Sequence, residues 1–284
     1  MADKGKKSRL APFRRLWRTF REILSEHYEY RVQIFQLAVG DIVKTYRGSA
    51  LGWSWAVLKP AVTIFVFWFA FSVGLRASAP IEGYPFFLWL IAGIVPWFYI
   101  NEMLVQGSKT VSKYNYLITK IKFPVSTIAT FVSLSKLYVH LGLLTIVILI
   151  FAGFGYFPDI YFLQLPLYMG LMFVFFTAWS LFAAPLSAIS KDFVNIVKSF
   201  VTAIFWMSGI MWDAHKVEIP WLRDVLLLNP VTYIANGYRN VFVYKRWFWQ
   251  DEYATVAFAC VLLGMVVLGV YTHHRLRHEI PDAL

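Results

Sequence analysis

Residues 165–189 read LPLYMGLMFVFFTAWSLFAAPLSAI, a stretch of 25 residues without one Asp, Glu, Lys or Arg. A helix rises about 1.5 Å per residue, so about 20 apolar residues cross the roughly 30 Å of hydrocarbon in a bilayer. The stretch exceeds that length and reads as a membrane span. Working outward, five more stretches meet the same test: Leu51–Leu75, Phe86–Gly107, Val125–Phe151, Phe193–Trp212 and Tyr253–Thr272. Lys59, Lys136 and Lys198 fall within three of them, and Lys59 and Lys198 lie near span ends, where a long side chain snorkels to water. The whole chain agrees with this reading. It is 59% apolar and 15% charged, with 26 Phe, 12 Trp and 16 Tyr, whereas a soluble domain is about a quarter charged. Secreted, disordered and nucleic-acid-binding classes do not fit that composition, so no nucleic-acid partner is expected. The expected fold is an all-α integral membrane protein with six transmembrane helices.

Charge sets the orientation. Of the 27 Lys and Arg behind the net charge of +11, 11 precede residue 51. With both termini inside, the inner segments hold 19 and the outer ones only Arg76, Lys216, Arg223, Arg239, Lys245 and Arg246. That asymmetry places both termini in the cytoplasm. The first 50 residues lack a short apolar core with a small-residue cleavage site, so no removable signal is expected. A single cysteine, Cys260, leaves no internal disulfide and no multi-cysteine metal site.

Residues 1–50 form an arm with its own pattern. Phe13, Leu16, Trp17, Phe20, Ile23 and Leu24 recur at helical spacing, with Arg14, Arg15, Arg18 and Arg21 on the other side. Such a helix lies in the inner interface of a membrane and is attracted by anionic lipid; a disordered basic tail fits only the first nine residues. A second amphipathic stretch runs from Val32 to Tyr46, with Phe35, Val39, Ile42, Val43 and Tyr46 apolar. Between spans two and three, Ser108–Pro124 carries Val111, Tyr114, Leu117, Ile118 and Ile121 at helical spacing among lysines, an amphipathic helix for a protein groove or for lipid. Residues 213–252 contain the uncharged run Val225–Tyr238, too short to span and broken at Asn229-Pro230. The run reads as two short re-entrant helices entering from outside, or as an extracellular loop packed on span ends.

Chemistry is sparse. No Gly-x-x-x-x-Gly-Lys-[Ser/Thr] loop occurs, and the arm is too small for a nucleotide-binding domain, so the chain does not hydrolyse ATP alone. The six histidines are scattered and no metal is expected. Lys136 and His140, one turn apart in span three, are the deep ionisable pair, lining a polar conduit or holding a neighbouring carbonyl. The many tryptophans, Trp53, Trp55, Trp97, Trp206 and Trp212 among them, suit interface belts, and flat aromatic faces also suit sugar rings.

The order of elements resembles the permease subunits of type-2 ABC exporters for polysaccharides. Tyr46–Pro60 (YRGSALGWSWAVLKP) is similar to that family's entry into span one, and Asn229–Arg239 (NPVTYIANGYR) resembles its motif before span six. Pro85–Phe98 (PFFLWLIAGIVPWF) looks most like wall teichoic acid permeases. The resemblance covers nearly the whole chain and implies a transmembrane domain over 51–284 preceded by the 1–50 arm. It implies a homodimer in the bacterial plasma membrane, with two ABC ATPase subunits that carry the ATP and Mg and grip Ser108–Pro124 through Val111, Tyr114, Leu117, Ile118 and Ile121. The implied cargo is a lipid-linked anionic polymer: teichoic acid on undecaprenyl diphosphate, with O-antigen or capsule as the alternative. Lys44, Arg47 and Lys59 with Trp55 would receive its head near the inner surface. Phe205, Trp206, Met207, Gly209 and Trp212 would form an outer gate, with Gly209 allowing a bend. Tyr233, Tyr238 and Arg239 would face the exit.

Overall fold

A computed structural model describes residues 11–48, 50–76, 83–277 and 279, and every regular element among them is helical. Among the described residues, α1 (Ala11–Glu29) and α2 (Arg31–Tyr46) precede the first span. After one 3₁₀ turn come α3 (Trp55–Trp68), which continues through a wider π turn at Phe69–Gly74, and α4 (Phe86–Gly107). Then follow α5 (Thr110–Lys113), α6 (Asn115–Thr119), α7 (Val125–Gly153), α8 (Leu165–Ile189), α9 (Lys191–Met207), α10 (Pro220–Leu227), α11 (Pro230–Arg239) and α12 (Glu252–Leu276).

Among the described residues five stretches are long and apolar enough to cross a membrane: Gly52–Gly74, Phe86–Gly107, Val125–Gly153, Ile160–Ile189 and Glu252–Leu276. The span expected over Phe193–Trp212 differs, because its helix α9 ends at Met207 after 17 residues. That helix rises only about 25 Å, short of the roughly 30 Å of hydrocarbon. The chain turns away at Gly209, whose φ of +59° is a left-handed conformation that glycine adopts at little cost. Helices α10 and α11 are separate because Asn229 caps α11, its side chain accepting from the Val231 amide at 2.9 Å, while Pro230 takes the first helical position, where no donor is needed.

Packing centres on α4. In its spanning window 78% of residues are buried, against 11% for Gly52–Gly74, so α3 lies at the rim of the bundle. Between α8 and α12 the backbones nearly touch: a Cβ on Gly269 would stand 2.7 Å from the Ala178 carbonyl oxygen. Small residues permit such approach where apolar helices pack in lipid. Helix α11 inserts against α4, α8 and α12, with Val231 to Arg239 all buried.

The arm is not left lying alone. The Thr19 hydroxyl meets His274 Nδ1 at 2.8 Å, Arg277 pairs with Glu22 at 2.9 Å, and His27 Nε2 meets the Thr130 hydroxyl at 2.5 Å. Thus α1 docks on the C-terminal end of α12 and the N-terminal end of α7, while Trp17 and Leu24 stay exposed. In α2, Ile34, Ala38 and Ile42 face inward and Phe35, Val39 and Val43 outward, so only Ile42 of the expected apolar set is buried. Lys245 pairs with Asp159 at 2.8 Å, and Gln164 holds the Arg246 carbonyl and the Phe248 amide, at the opposite end of the bundle from the arm.

Candidate functional site

A cleft of about 630 Å³ opens between α2, α3, α4 and α7, in the half of the bundle nearest the arm. Its wall carries flat rings from Tyr46, Trp55 and Trp97. Pro60 belongs to the same wall and offers no N–H to the carbonyl of Ala56 one turn back, which also lines the cleft. Lys59 projects its ammonium 5.9 Å from the centre of the Trp55 ring. Across the cleft Lys136 pairs with Glu102 at 3.2 Å; the lysine side chain is 11% exposed and the carboxylate 49%. Lys136 therefore holds a carboxylate, not a carbonyl. His140, one turn on, turns to another partner, with Nε2 2.7 Å from the Tyr238 hydroxyl and Nδ1 left without one. Of the residues expected to receive the polymer's head, Lys59 and Trp55 are on the cleft wall; Lys44 and Arg47 are exposed beside it, at the end of α2.

Tyr233, Tyr238 and Arg239 do not face an exit. All three are buried, Tyr233 stacked on Phe258 at 4.4 Å and Tyr238 on its bond to His140. Arg239 is fully enclosed: its guanidinium lies 3.6 Å from the Trp89 ring centre and donates to the carbonyls of Gly209, at 2.8 Å, and Ile210. An arginine fully buried on two backbone carbonyls, the Asn236 side-chain oxygen and a ring is not placed to meet an emerging polymer, and its Nε is buried without a partner. Its role here is to clamp the turn after α9 onto α4 and α11. The gate set is divided in the same region. Phe205 is buried against Phe67 at 5.4 Å and Trp97 at 5.2 Å, while Trp206 and Met207 are exposed. The Trp212 indole donates to the Trp206 carbonyl at 2.9 Å, folding the chain back across the Gly209 turn.

The helix expected over Ser108–Pro124 is two short helices meeting at Tyr114. Val111, Tyr114, Leu117 and Ile118 are buried against Ile34 and Ala38 of α2 and Phe131 and Val132 of α7, so the apolar face expected to grip an ATPase is covered by this chain itself. Ile121 remains exposed, as does Tyr116. Beneath this segment lies Asp41, 4% exposed, which accepts from Lys113 Nζ at 2.9 Å, from Ser135 Oγ at 2.6 Å and from the Tyr114 hydroxyl. Burial alone would raise its pKa, and the bonds from Ser135, Tyr114 and Lys113 more than reverse this, holding it below the ordinary 3.8. The Tyr114 phenol is pushed up by burial and by its bond to that carboxylate.

Residues 32–243, from α2 to beyond α11, match the family described as ABC-2 type transporter. The chain belongs to that family. This ABC-2 chain is similar to the O-antigen export system permease protein RfbA of Myxococcus xanthus, 23% identical over 92% of this chain and 99% of the relative. It is also similar to the RfbA protein of Klebsiella pneumoniae (20%, covering 86% and 92%) and to the polysialic acid transport protein KpsM of Escherichia coli (23%, covering 72% and 79%). None of these three is named for teichoic acid.

Sequence reading of this ABC-2 transporter chain missed Asp41, Glu102's partner and the role of Arg239. A signal existed for Asp41: it is the sole acid between Arg31 and Tyr46, on the side of α2 shared by Ile34, Ala38 and Ile42. A lone carboxylate there either finds donors or costs several kcal/mol, roughly, to bury. Among the described residues no group of three or more His, Cys, Asp or Glu is gathered to hold a metal.

Proposed function

We propose that this chain is the membrane subunit of an ATP-driven exporter of lipid-linked polysaccharide of the O-antigen or capsule type. The observation that carries the reading is the cleft, which sets the faces of Tyr46, Trp55 and Trp97 beside Lys59 and Lys136. Aromatic faces suit sugar rings, and ammonium groups suit the diphosphate that joins such polymers to a polyprenyl carrier. The relatives named for O-antigen and polysialic acid support a glycan cargo more than teichoic acid. Two copies would make the pathway, in a bacterial plasma membrane with both termini cytoplasmic. Six crossings would have the short α9 traverse a locally thinned bilayer, and α10 and α11 then enter from the outer side and return. The ATPase subunits, with their ATP and Mg, would dock on the exposed side of α5 and α6, at Tyr116, Lys120 and Ile121.

The test is reconstitution of the chain with its ATPase in vesicles. Lipid-linked O-antigen or capsule oligosaccharide should stimulate ATP hydrolysis and move outward, and Lys59→Met with Lys136→Met should abolish both. Stimulation by a polyol phosphate polymer alone would restore the teichoic acid reading, which the Pro85–Phe98 stretch favours. Movement of lipid without any ATPase would instead show an independent flippase.

A further inference from the structure

Asp41 stands where three parts of the protein meet. Its two oxygens hold different elements: Oδ1 takes Lys113 and Tyr114, the kink between α5 and α6, and Oδ2 takes Ser135 of α7. Two of those elements are cleft walls. Ile42, Thr45 and Tyr46 follow Asp41 on α2 and line the cleft, as do Ser135, Lys136 and His140 on α7. The remaining contacts between the kink and these helices are apolar, such as Val111, Leu117 and Ile118 on Ile34, Ala38 and Phe131. Apolar contact is non-directional and tolerates sliding. Hydrogen bonds to an ionised carboxylate are directional and roughly twice as strong as neutral ones, and a buried charge cannot release its donors without replacements. The bonded link, not the greasy one, is the part of this junction that resists being pulled apart.

We propose that Asp41 is the positioning residue that makes the cleft walls follow the α5–α6 segment, so that force applied to that segment opens or closes the cleft. The proposal rests on the reading above that an ATPase docks on α5 and α6. Asp41→Asn keeps the shape and removes the charge, and Tyr114→Phe removes one donor from the same oxygen.

In vesicles containing the complete complex, Asp41→Asn should keep ATPase co-purification and hold ATP hydrolysis within about twofold, while polymer moved per ATP falls tenfold or more. An unchanged ratio, or a proportional fall in yield, hydrolysis and transport together, would overturn the proposal by reducing Asp41 to a packing role. If Asp41→Asn does not accumulate, Tyr114→Phe decides on the same ratio, expected down severalfold and refuting if unchanged. A second measurement needs no partner. Spin labels at Ser112 and Val43, both exposed, with Cys260 replaced by Ser, report the distance between α5 and α2 in the purified chain. One narrow distance should broaden in Asp41→Asn; identical distributions would sink the idea. Failure of the unaltered chain to bind any ATPase would count against the docking reading alone and leave the spin-label result to judge Asp41.

Discussion

Gly93→Ala in α4 is a sharp test of the packing around Arg239. The missing methyl matters because a Cβ at this position would stand 2.6 Å from Arg239 Nε, and closer to Cζ and Nη2, where ordinary contact begins at 3.4 Å. The group is the end of a flexible side chain, but it has nowhere to go. It is fully buried, pinned to the carbonyls of Gly209 and Ile210, and flat against Trp89. A displacement of nearly an ångström costs one charge-assisted bond, about 1.5–3 kcal/mol. It also weakens a desolvated cation–π contact of about 2 kcal/mol. Alanine returns at most about 1 kcal/mol in helix propensity. The net destabilisation is about 2 kcal/mol, or an apparent Tm lower by roughly 4–8 °C for a chain of this size. The control is Gly142→Ala in α7, also mid-helix and with nothing within 4 Å of the added Cβ, which should be neutral or slightly stabilising. Thermal unfolding of the detergent-purified variants followed by tryptophan fluorescence gives the comparison. If Gly93→Ala unfolds at or above the temperature of Gly142→Ala, the clamp is not holding this region.

Acid stability should report Asp41 directly. Its folded pKa lies below 3.8, so its contribution is fully present above 3.8 and is lost as pH falls through the lower folded value. As pH falls below 3.8 the unaltered chain should lose more stability than Asp41→Asn, and parallel curves would refute this. In the cleft, Glu102→Gln frees Lys136 and should tighten binding of a polyprenyl diphosphate, whereas Lys136→Met should weaken it by about tenfold, or about 1.4 kcal/mol. Equal affinities by titration in detergent would place the diphosphate elsewhere. Ile121→Asp, on the exposed side of the α5–α6 segment, should cut ATPase co-purification at least tenfold without loss of folded chain, whereas Leu117→Asp should cut the yield of the chain itself, since Leu117 is buried. Co-purification that survives Ile121→Asp would move the docking surface off this face. Trp206→Ala should raise the idle ion leak of reconstituted complexes if the exposed indole seals a pathway between copies.

Phe86–Gly107 and Leu165–Ile189 were legible to the residue, since each apolar run is bounded by a proline or a polar breaker and lipid leaves the backbone no alternative but helix. The break at Asn229-Pro230 was legible for an equally local reason, a cap followed by a residue without a donor. The length of α9 was not, because hydropathy continues through Ile210 and Met211 while the left-handed turn at Gly209 depends on what surrounds it. Periodicity showed that Val111, Leu117 and Ile118 share a face but not what covers it, and an amphipathic pattern looks the same whether α2 or another protein supplies the groove. Arg239 was unreadable in a stronger sense. Its carbonyl partners lie 29 and 30 residues upstream, and backbone acceptors leave no mark in the identity of the residues that carry them.

The docking of α1 has a consequence for how the chain is made. Thr19 and Glu22 leave the ribosome 255 residues ahead of their partners His274 and Arg277. Asp41 likewise waits 72 to 94 residues for Lys113, Tyr114 and Ser135. During synthesis at about 5–20 residues per second, the arm spends roughly 10–50 seconds without its seat. A strongly two-faced helix can pass that interval on the membrane surface, which shelters its apolar side until the last span arrives. The seat of α1 exists only once the end of α12 has been made: a nascent chain stopped before His273 would carry an α1 with nowhere to land, its apolar face open to capture by something other than its own bundle.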